Sequence, residues 1–166
     1  MLRGCAIWLA VGLTACSGGL KGELFQKKGV SYRVVAPSEA GWKRIALSDN
    51  DLAWAAKGSP HVLSMNAVCE GHDDAPLEVL TRHLLFGFTE REEKSAQREM
   101  IDGREALHTV WAAKLDGVPV ELELVVLKKD GCVHDFTYVS PPGERGVHQQ
   151  AFDALVAGFR QEERAP

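Results

Sequence analysis

The chain has 166 residues, of which 45% are hydrophobic and 25% are charged, and its formal net charge is −4. This length suits one domain with a full hydrophobic core. No block of Lys or Arg interrupts the sequence, which argues against nucleic-acid binding and against an electrostatic membrane-binding surface.

The N-terminus has the pattern of an export signal. Arg3 gives the start one positive charge, a short apolar run follows over residues 5–13, and the small residues Thr14 and Ala15 come next. A membrane-spanning helix needs roughly 20 apolar residues, and this run is about half that length. We therefore predict that residues 1–15 are a signal peptide that is removed on export.

The signal ends in Leu13-Thr14-Ala15-Cys16, which resembles the lipobox of bacterial lipoproteins. The resemblance implies cleavage before Cys16, a diacylglyceryl group on its sulfur and an acyl chain such as palmitate on its new amino group. Two or more chains anchor a protein stably, so the membrane is an expected partner through lipid on Cys16. In enterobacterial sorting, Ser17 rather than Asp at the next position implies the outer membrane, facing the periplasm.

A flexible tether and one domain are predicted after the signal. Residues 16–23 contain Ser17 and three glycines, and such residues leave the backbone free. The domain is predicted over residues 24–162 and begins with a hairpin. Its first strands are predicted at residues 24–25, 30–35, 42–47, 52–56 and 61–69.

The clearest pattern lies in the C-terminal half, where Asp102-Gly103, Asp116-Gly117 and Asp130-Gly131 recur at intervals of fourteen residues. Asp-Gly favours a two-residue hairpin turn because both positions need positive φ, which Gly adopts freely and Asp tolerates. Apolar and polar residues alternate around the turns, as in an antiparallel sheet with one covered face. The pattern predicts a four-stranded meander with strands at residues 94–101, 104–115, 118–128 and 132–140.

Two helices complete the prediction. The first begins near Pro76, with Asp73 or Asp74 as its cap, and ends at Gly87. The second runs to about Gln161, with apolar residues at helical spacing. Strands predominate and each helix has one apolar stripe, so the fold class is α+β, a mainly antiparallel sheet packed against two helices.

The order of elements carries a second resemblance. An early hairpin ends in Tyr32-Arg33-Val34-Val35-Ala36-Pro37, Gly41-Trp42 and short strands follow, and a meander and a C-terminal helix with Phe152 and Phe159 complete the chain. This order resembles the PsbP-like and DcrB-like α+β fold, which occurs in several exported bacterial lipoproteins. The resemblance implies that fold over most of residues 24–162, but it carries over no catalytic residues.

The cysteines indicate a disulfide. One of the four leaves with the signal and Cys16 carries lipid, so Cys69 and Cys132 remain. Two thiols in an oxidising exported compartment usually pair. The alternative is a zinc site in which His72 and His134 join both thiolates. Oxidation competes for the same sulfurs, and we expect no metal and no cofactor.

The sequence offers few catalytic candidates. It contains no motif of a serine hydrolase, a P-loop, a dinucleotide-binding turn or a zinc protease. His72, Asp73 and His134 are the candidates for a hydrolase or metal site. Asp135 follows His134 on a predicted strand, so these two side chains are expected on opposite faces. His108 is predicted to be a packed strand residue.

Three functions remain open. The leading prediction is a non-catalytic binding or accessory component of an envelope complex, with an envelope protein and not nucleic acid as its partner. The first alternative is a small-molecule or lipid binder with a groove between the sheet and a helix. The second is a hydrolase or metal enzyme around His72, Asp73 and His134.

Overall fold

A computed structural model describes residues 19–27, 29–71 and 74–162. The helices within this part are α1 (Leu77–His83) and α2 (Gln149–Ala157), and a single 3-10 turn at Arg145–Val147 precedes α2. The strands are β1 (Gly19–Lys21), β2 (Leu24–Lys27), β3 (Val30–Arg33), β4 (Trp42–Ile45), β5 (Leu52–Ala56), β6 (Val62–Val68), β7 (Phe88–Ile101), β8 (Arg104–Leu115), β9 (Val118–Lys129), β10 (Cys132–Ser140) and β11 (Arg160–Gln161).

The strands form two antiparallel sheets. One has seven strands in the order β4-β5-β6-β10-β9-β8-β7, and the other has four in the order β1-β2-β3-β11. The α+β class is confirmed, whereas the single sheet that the sequence predicted is corrected to two. Local patterns reveal hairpins but not which edges meet, so the pairing of the last strand with β3 leaves no signal in the sequence.

The predicted meander is present as β7 to β10. Asp102, Asp116 and Asp130 have φ of 47°, 50° and 51°, and the glycine after each also has positive φ. Each turn therefore has the conformation that Asp-Gly favours. The first strand begins at Phe88 rather than 94, because it continues through register shifts near Glu90, which itself has a φ of 49°.

The seven-stranded sheet is covered unequally on its two faces. α2 and the four-stranded sheet cover one face and form the main core with it. The largest side chains in this core are fully buried: Phe25, Tyr32, Phe136, Tyr138, Phe152 and Phe159. On the other face, Leu80 of α1 packs on Val126 and Val133. α1 has seven residues, about 10 Å of helix, so it covers only part of that face.

The first helix is shorter than predicted. It ends at His83 rather than near Gly87, and Pro76 occupies the position before its first residue without any capping hydrogen bond from a side chain. The prediction that Asp74 caps the helix is therefore wrong, and Asp73 lies outside the described residues. Pro76 fits this place because its missing N–H would have no partner in the first turn.

The second helix also ends early. It stops at Ala157, and Gly158 allows a close approach, since a Cβ atom at this position would lie 2.6 Å from Cγ2 of Val35. The chain then turns and forms β11 on β3, where the N–H of Gln161 donates to Oδ2 of Asp102 at 2.8 Å. The tertiary contacts of the strand override the helical spacing.

The described part of the chain begins inside the predicted tether. Gly19, Leu20 and Lys21 form β1, which pairs with β2. These residues are therefore a sheet edge rather than free linker. The predicted signal peptide and Cys16 lie outside the described residues. No helix in the described part of the chain is long and apolar enough to cross a membrane.

Candidate functional site

A cavity of about 390 Å³ lies beside α1, on the less covered face of the seven-stranded sheet. This volume is within the usual range of small-molecule sites. Its apolar walls are contributed by Val68, Ala75, Leu80, Leu84, Val126 and Val133.

Strand alternation places one acid in this cavity. On β10, His134 and Phe136 face the main core, so Asp135 between them faces α1. Asp135 is paired in register with Asn66 on β6 and with Val126 on β9. Asn66 also lines the cavity, whereas the exposed residues Glu70 and His83 lie at its edge.

Asp135 is buried without a partner. It is 6% exposed, and it has no hydrogen bond or ion pair to any of the described residues. Burial raises the pKa of its carboxyl to about 7, the negative charge of Asp51 adds to the rise, and Lys27 opposes it. An acid in this state can bind a donor or a cation that the chain itself does not provide.

His134 lies on the opposite face, as the alternation predicted. It is fully buried between Tyr32 and Phe159, at ring distances of 6.0 and 4.8 Å. Burial lowers the pKa of His134 to about 4, so the ring is neutral at physiological pH. Neither ring nitrogen has a hydrogen-bond partner in the described part of the chain.

This position weakens the hydrolase or metal hypothesis. A fully buried His134 cannot reach a substrate, and His72 and Asp73 lie outside the described residues. The predicted Cys69–Cys132 disulfide is present, with an S–S distance of 2.01 Å. Its sulfurs are not available as zinc ligands, and the described residues contain no group of three or more potential metal ligands.

A second polar cluster lies under α2. Glu123 is 1% exposed, and its carboxylate accepts hydrogen bonds from His108, Arg145 and Gln149 at 2.6, 2.8 and 3.0 Å. The other ring nitrogen of His108 lies 3.0 Å from Glu99. The sequence predicted His108 only as a packed strand residue. It did not predict the contacts with Glu99 and Glu123, because these residues lie on the neighbouring strands and not next to His108 in the chain. All the groups are mutually paired, which is typical of structural clusters.

A third cluster surrounds Ser59. Its hydroxyl lies 3.1 Å from Nδ1 of His61 and 3.4 Å from Nε2 of His148. The His148 ring also packs against Trp42 at 5.0 Å. The sequence offered no partner for either histidine. This arrangement joins the loop before β6 to the start of α2.

The groove on the other side of α1 differs from the Asp135 cavity. Its volume is about 330 Å³, and Glu78, Arg98 and Trp111 are among its lining residues. Arg98 forms ion pairs with both Glu78 and Glu105. The charge of Arg98 is therefore neutralised within the chain, in contrast to that of Asp135, the unpaired acid beside Leu80.

Comparisons with known proteins identify the fold. No protein-family model matches the sequence, and no curated protein matches it. Cyanobacterial PsbP, CyanoP, from Synechocystis is 13% identical, with a TM-score of 0.62 over 94% of this chain and 99% of that chain. LpqN of Mycobacterium tuberculosis, described as involved in cell envelope biogenesis, is 10% identical, with a TM-score of 0.59 over 81% and 86%.

A Pseudomonas aeruginosa protein of unknown function is a further structural neighbour, 15% identical with a TM-score of 0.50 over 86% of this chain and 96% of that one. The fold is PsbP-like. That part of the predicted resemblance is confirmed, and the DcrB-like part stays a prediction. Identities this low establish the fold alone.

Proposed function

We propose that this protein is a lipid-anchored envelope protein that acts by binding, as an accessory component of an envelope complex. The anchor is lipid on Cys16, and the domain faces the periplasm from the outer membrane. Two structural neighbours, CyanoP and LpqN, support a role of this kind, and LpqN is itself described as involved in cell envelope biogenesis.

The proposal rests on a difference between the two ends of the seven-stranded sheet, which we call its poles: one at the Asp130-Gly131 turn and the other at the Asp116-Gly117 turn. At one pole, Gly19 of β1 pairs with Gln26, and the neighbouring Lys27 donates to the carbonyl of Ala67 at 2.6 Å. Ala67 lies beside β10 near its first residue, Cys132. The first described strand therefore starts near the disulfide and the Asp130-Gly131 turn.

The opposite pole carries exposed apolar side chains. The Asp116-Gly117 turn lies at this end, where Leu115 pairs with both Val118 and Phe88. Phe86, Val118 and Leu115 are 82%, 62% and 40% exposed. Exposed apolar side chains favour a protein contact when they form one contiguous patch. An anchor at the first pole leaves them directed away from the membrane, toward a second envelope protein.

The anchor is tested by metabolic labelling with palmitate and by mass spectrometry of the mature N-terminus. We expect label and an acylated Cys16 in the wild type and neither in Cys16→Ala. An unlabelled, soluble wild-type protein would contradict the anchor.

The partner is tested by affinity capture of the tagged protein from cross-linked native membranes. We expect a stoichiometric envelope protein with the wild type and its loss with Phe86→Ser/Val118→Ser. Val147→Ser is the matched control, because Val147 is also 62% exposed but lies in the turn before α2. A partner that persists in the double variant would overturn the assignment of the apolar pole.

A second candidate function is small-molecule or lipid binding by the domain. The cavity beside α1 favours it, since apolar walls around a few convergent polar groups are the usual form of such sites. Calorimetric titration with short aliphatic and aromatic probes tests this candidate, and heat that vanishes in Val68→Trp, which fills the mouth of the cavity, would support it.

A further inference from the structure

We propose that the cavity beside α1 binds a small organic ammonium compound, with the cationic nitrogen at Asp135 and the apolar body against Leu80 and Leu84. The inference rests on the second candidate function, ligand binding by the domain. It is independent of the lipid anchor and of a protein partner.

The first support is the missing partner of Asp135. Buried carboxylates are nearly always paired or hydrogen-bonded. The other deeply placed acids of the described chain follow this rule. Asp51 accepts from Lys27, Tyr32 and the N–H of Ala67, and Glu123 accepts from three side chains. Asp135 alone among them faces a cavity with its carboxyl unpaired.

The second support is the sign of the charge. No Lys or Arg is among the described residues that line the cavity; its edge carries Glu70, which adds a further negative charge, and the imidazole of His83. Burial and the negative charge of Asp51 raise the pKa of Asp135, Lys27 opposes the rise, and no residue in the described part of the chain supplies the carboxylate with an ion-pair partner. A bound ammonium group would supply this partner and return the pKa toward its usual range. An anionic ligand would meet repulsion from both carboxylates.

The third support is the shape and polarity of the walls. About 390 Å³ holds a body of benzyl size or larger. The apolar side chains of α1 and β9 cannot hydrogen-bond to a heavily hydroxylated ligand. Asn66, next to Asp135 across the strand pair, offers one further polar group near the nitrogen. These features select an amphiphilic amine over a bare metal ion or a sugar.

The test uses three probes of the same shape: 4-fluorobenzylamine, 4-fluorobenzyl alcohol and 4-fluorobenzoate. The mature protein is purified from membranes and reconstituted in phosphatidylcholine nanodiscs, and empty nanodiscs correct for partition into lipid. Binding is measured at pH 8 from fluorine NMR line broadening. At this pH the amine is cationic, the alcohol is neutral and the benzoate is anionic.

Two variants separate charge from shape. Asp135→Asn removes the carboxylate and keeps the size of the side chain. Val68→Trp fills the cavity mouth from an exposed position on β6. Asp49→Asn is the charge-matched control, because Asp49 is exposed and does not line the cavity. Urea unfolding confirms that each variant folds before binding is compared.

We expect the amine to bind the wild type at least tenfold more tightly than the alcohol, with benzoate weakest. Asp135→Asn is expected to weaken the amine at least tenfold and the alcohol less than twofold, while Asp49→Asn changes neither. Val68→Trp is expected to abolish binding of all probes. Equal binding of amine and alcohol, or an amine preference that survives Asp135→Asn, would overturn the ammonium assignment and leave ligand binding standing. No binding of any probe, or binding unaffected by Val68→Trp, would overturn both.

Discussion

Nε2 of His108 lies 2.6 Å from Oε1 of Glu123, a carboxylate that is 1% exposed. Arg145 and Gln149 donate to the same carboxylate, so Glu123 links β8 and β9 to the segment that contains α2. We predict that Glu123→Ala lowers the free energy of unfolding by about 2 kcal/mol, because hydrogen bonds to a charged group contribute roughly 1.5–3 kcal/mol. Urea unfolding at pH 6 measures the change. Glu93→Ala, an exposed acid on β7, is the control, and an equal effect there would contradict the prediction.

The His108–Glu123 pair also predicts that the free energy of unfolding depends on pH. The hydrogen bond to Glu123 raises the pKa of His108. Burial raises the pKa of Glu123, but hydrogen bonds from His108, Arg145 and Gln149 outweigh it and the pKa is lowered. The stability that His108 contributes is thus complete below about pH 6.5 and is lost as the pH rises through the pKa of His108 in the folded protein. The stability that Glu123 contributes is complete above about pH 4.5 and is lost as the pH falls through the lowered pKa of Glu123.

We therefore expect the stability difference between the wild type and His108→Gln to be larger at pH 5.5 than at pH 8.5. Urea unfolding at the two values measures it. A difference that does not depend on pH would show that the imidazolium form does not contribute.

Asp135 predicts a change of stability with pH in the same direction as His108, because its pKa is also raised. Burial raises the pKa of its carboxyl from 3.8 to about 7, so the stability associated with the protonated acid is complete below about 4 and is lost as the pH rises through 7. Asp135→Asn mimics the protonated acid. Its stability relative to the wild type should rise by roughly 1 kcal/mol per pH unit between pH 5 and 7. Glu70 and His83 line the same cavity, and the charges of Asp51 and Lys27 act on the carboxyl from nearby; all four are present in both proteins. Parallel pH profiles would show that the carboxyl titrates normally.

The Cys69–Cys132 disulfide closes a loop with a sequence separation of 63 residues. We predict that Cys69→Ala/Cys132→Ala lowers the free energy of unfolding by about 4 kcal/mol, since the unfolded chain regains the entropy of the open loop. Urea unfolding with and without reductant provides the control, because reductant should destabilise the wild type and leave the double variant unchanged. A wild-type protein that keeps its full stability after complete reduction of the disulfide would contradict the prediction.

Gly117 tests the turn conformation by itself. Its φ is +81°, and no atom lies within 4 Å of a Cβ built there. Gly117→Ala should therefore cost about 1 kcal/mol from backbone strain alone. Gly146→Ala is the matched control, because its surroundings are equally open and its φ is not in the positive range. Equal unfolding midpoints for the two variants would show that the turn tolerates a side chain.

Several features could be predicted from the sequence because their causes are local. The Asp-Gly turns at 102, 116 and 130 specify the meander, since positive φ is a property of the two residues themselves. The Cys69–Cys132 disulfide could be predicted because only two cysteines remain after the signal peptide and Cys16 are set aside, and an exported compartment is oxidising. The alternation of β10 placed His134 and Asp135 on opposite faces, because successive strand residues always point apart.

Only the tertiary structure determines what packs against each of these two faces of β10. α2 and the second sheet bury His134, whereas the short helix α1 leaves a cavity beside Asp135. The strand at Gly19–Lys21 and the strand that replaces the end of the second helix have the same origin. Each depends on contacts between segments far apart in the chain, and such contacts are set by packing and edge pairing rather than by any local pattern. The sequence by itself determined the turns, the disulfide and the strand periodicity, and only the assembled layers created the candidate site.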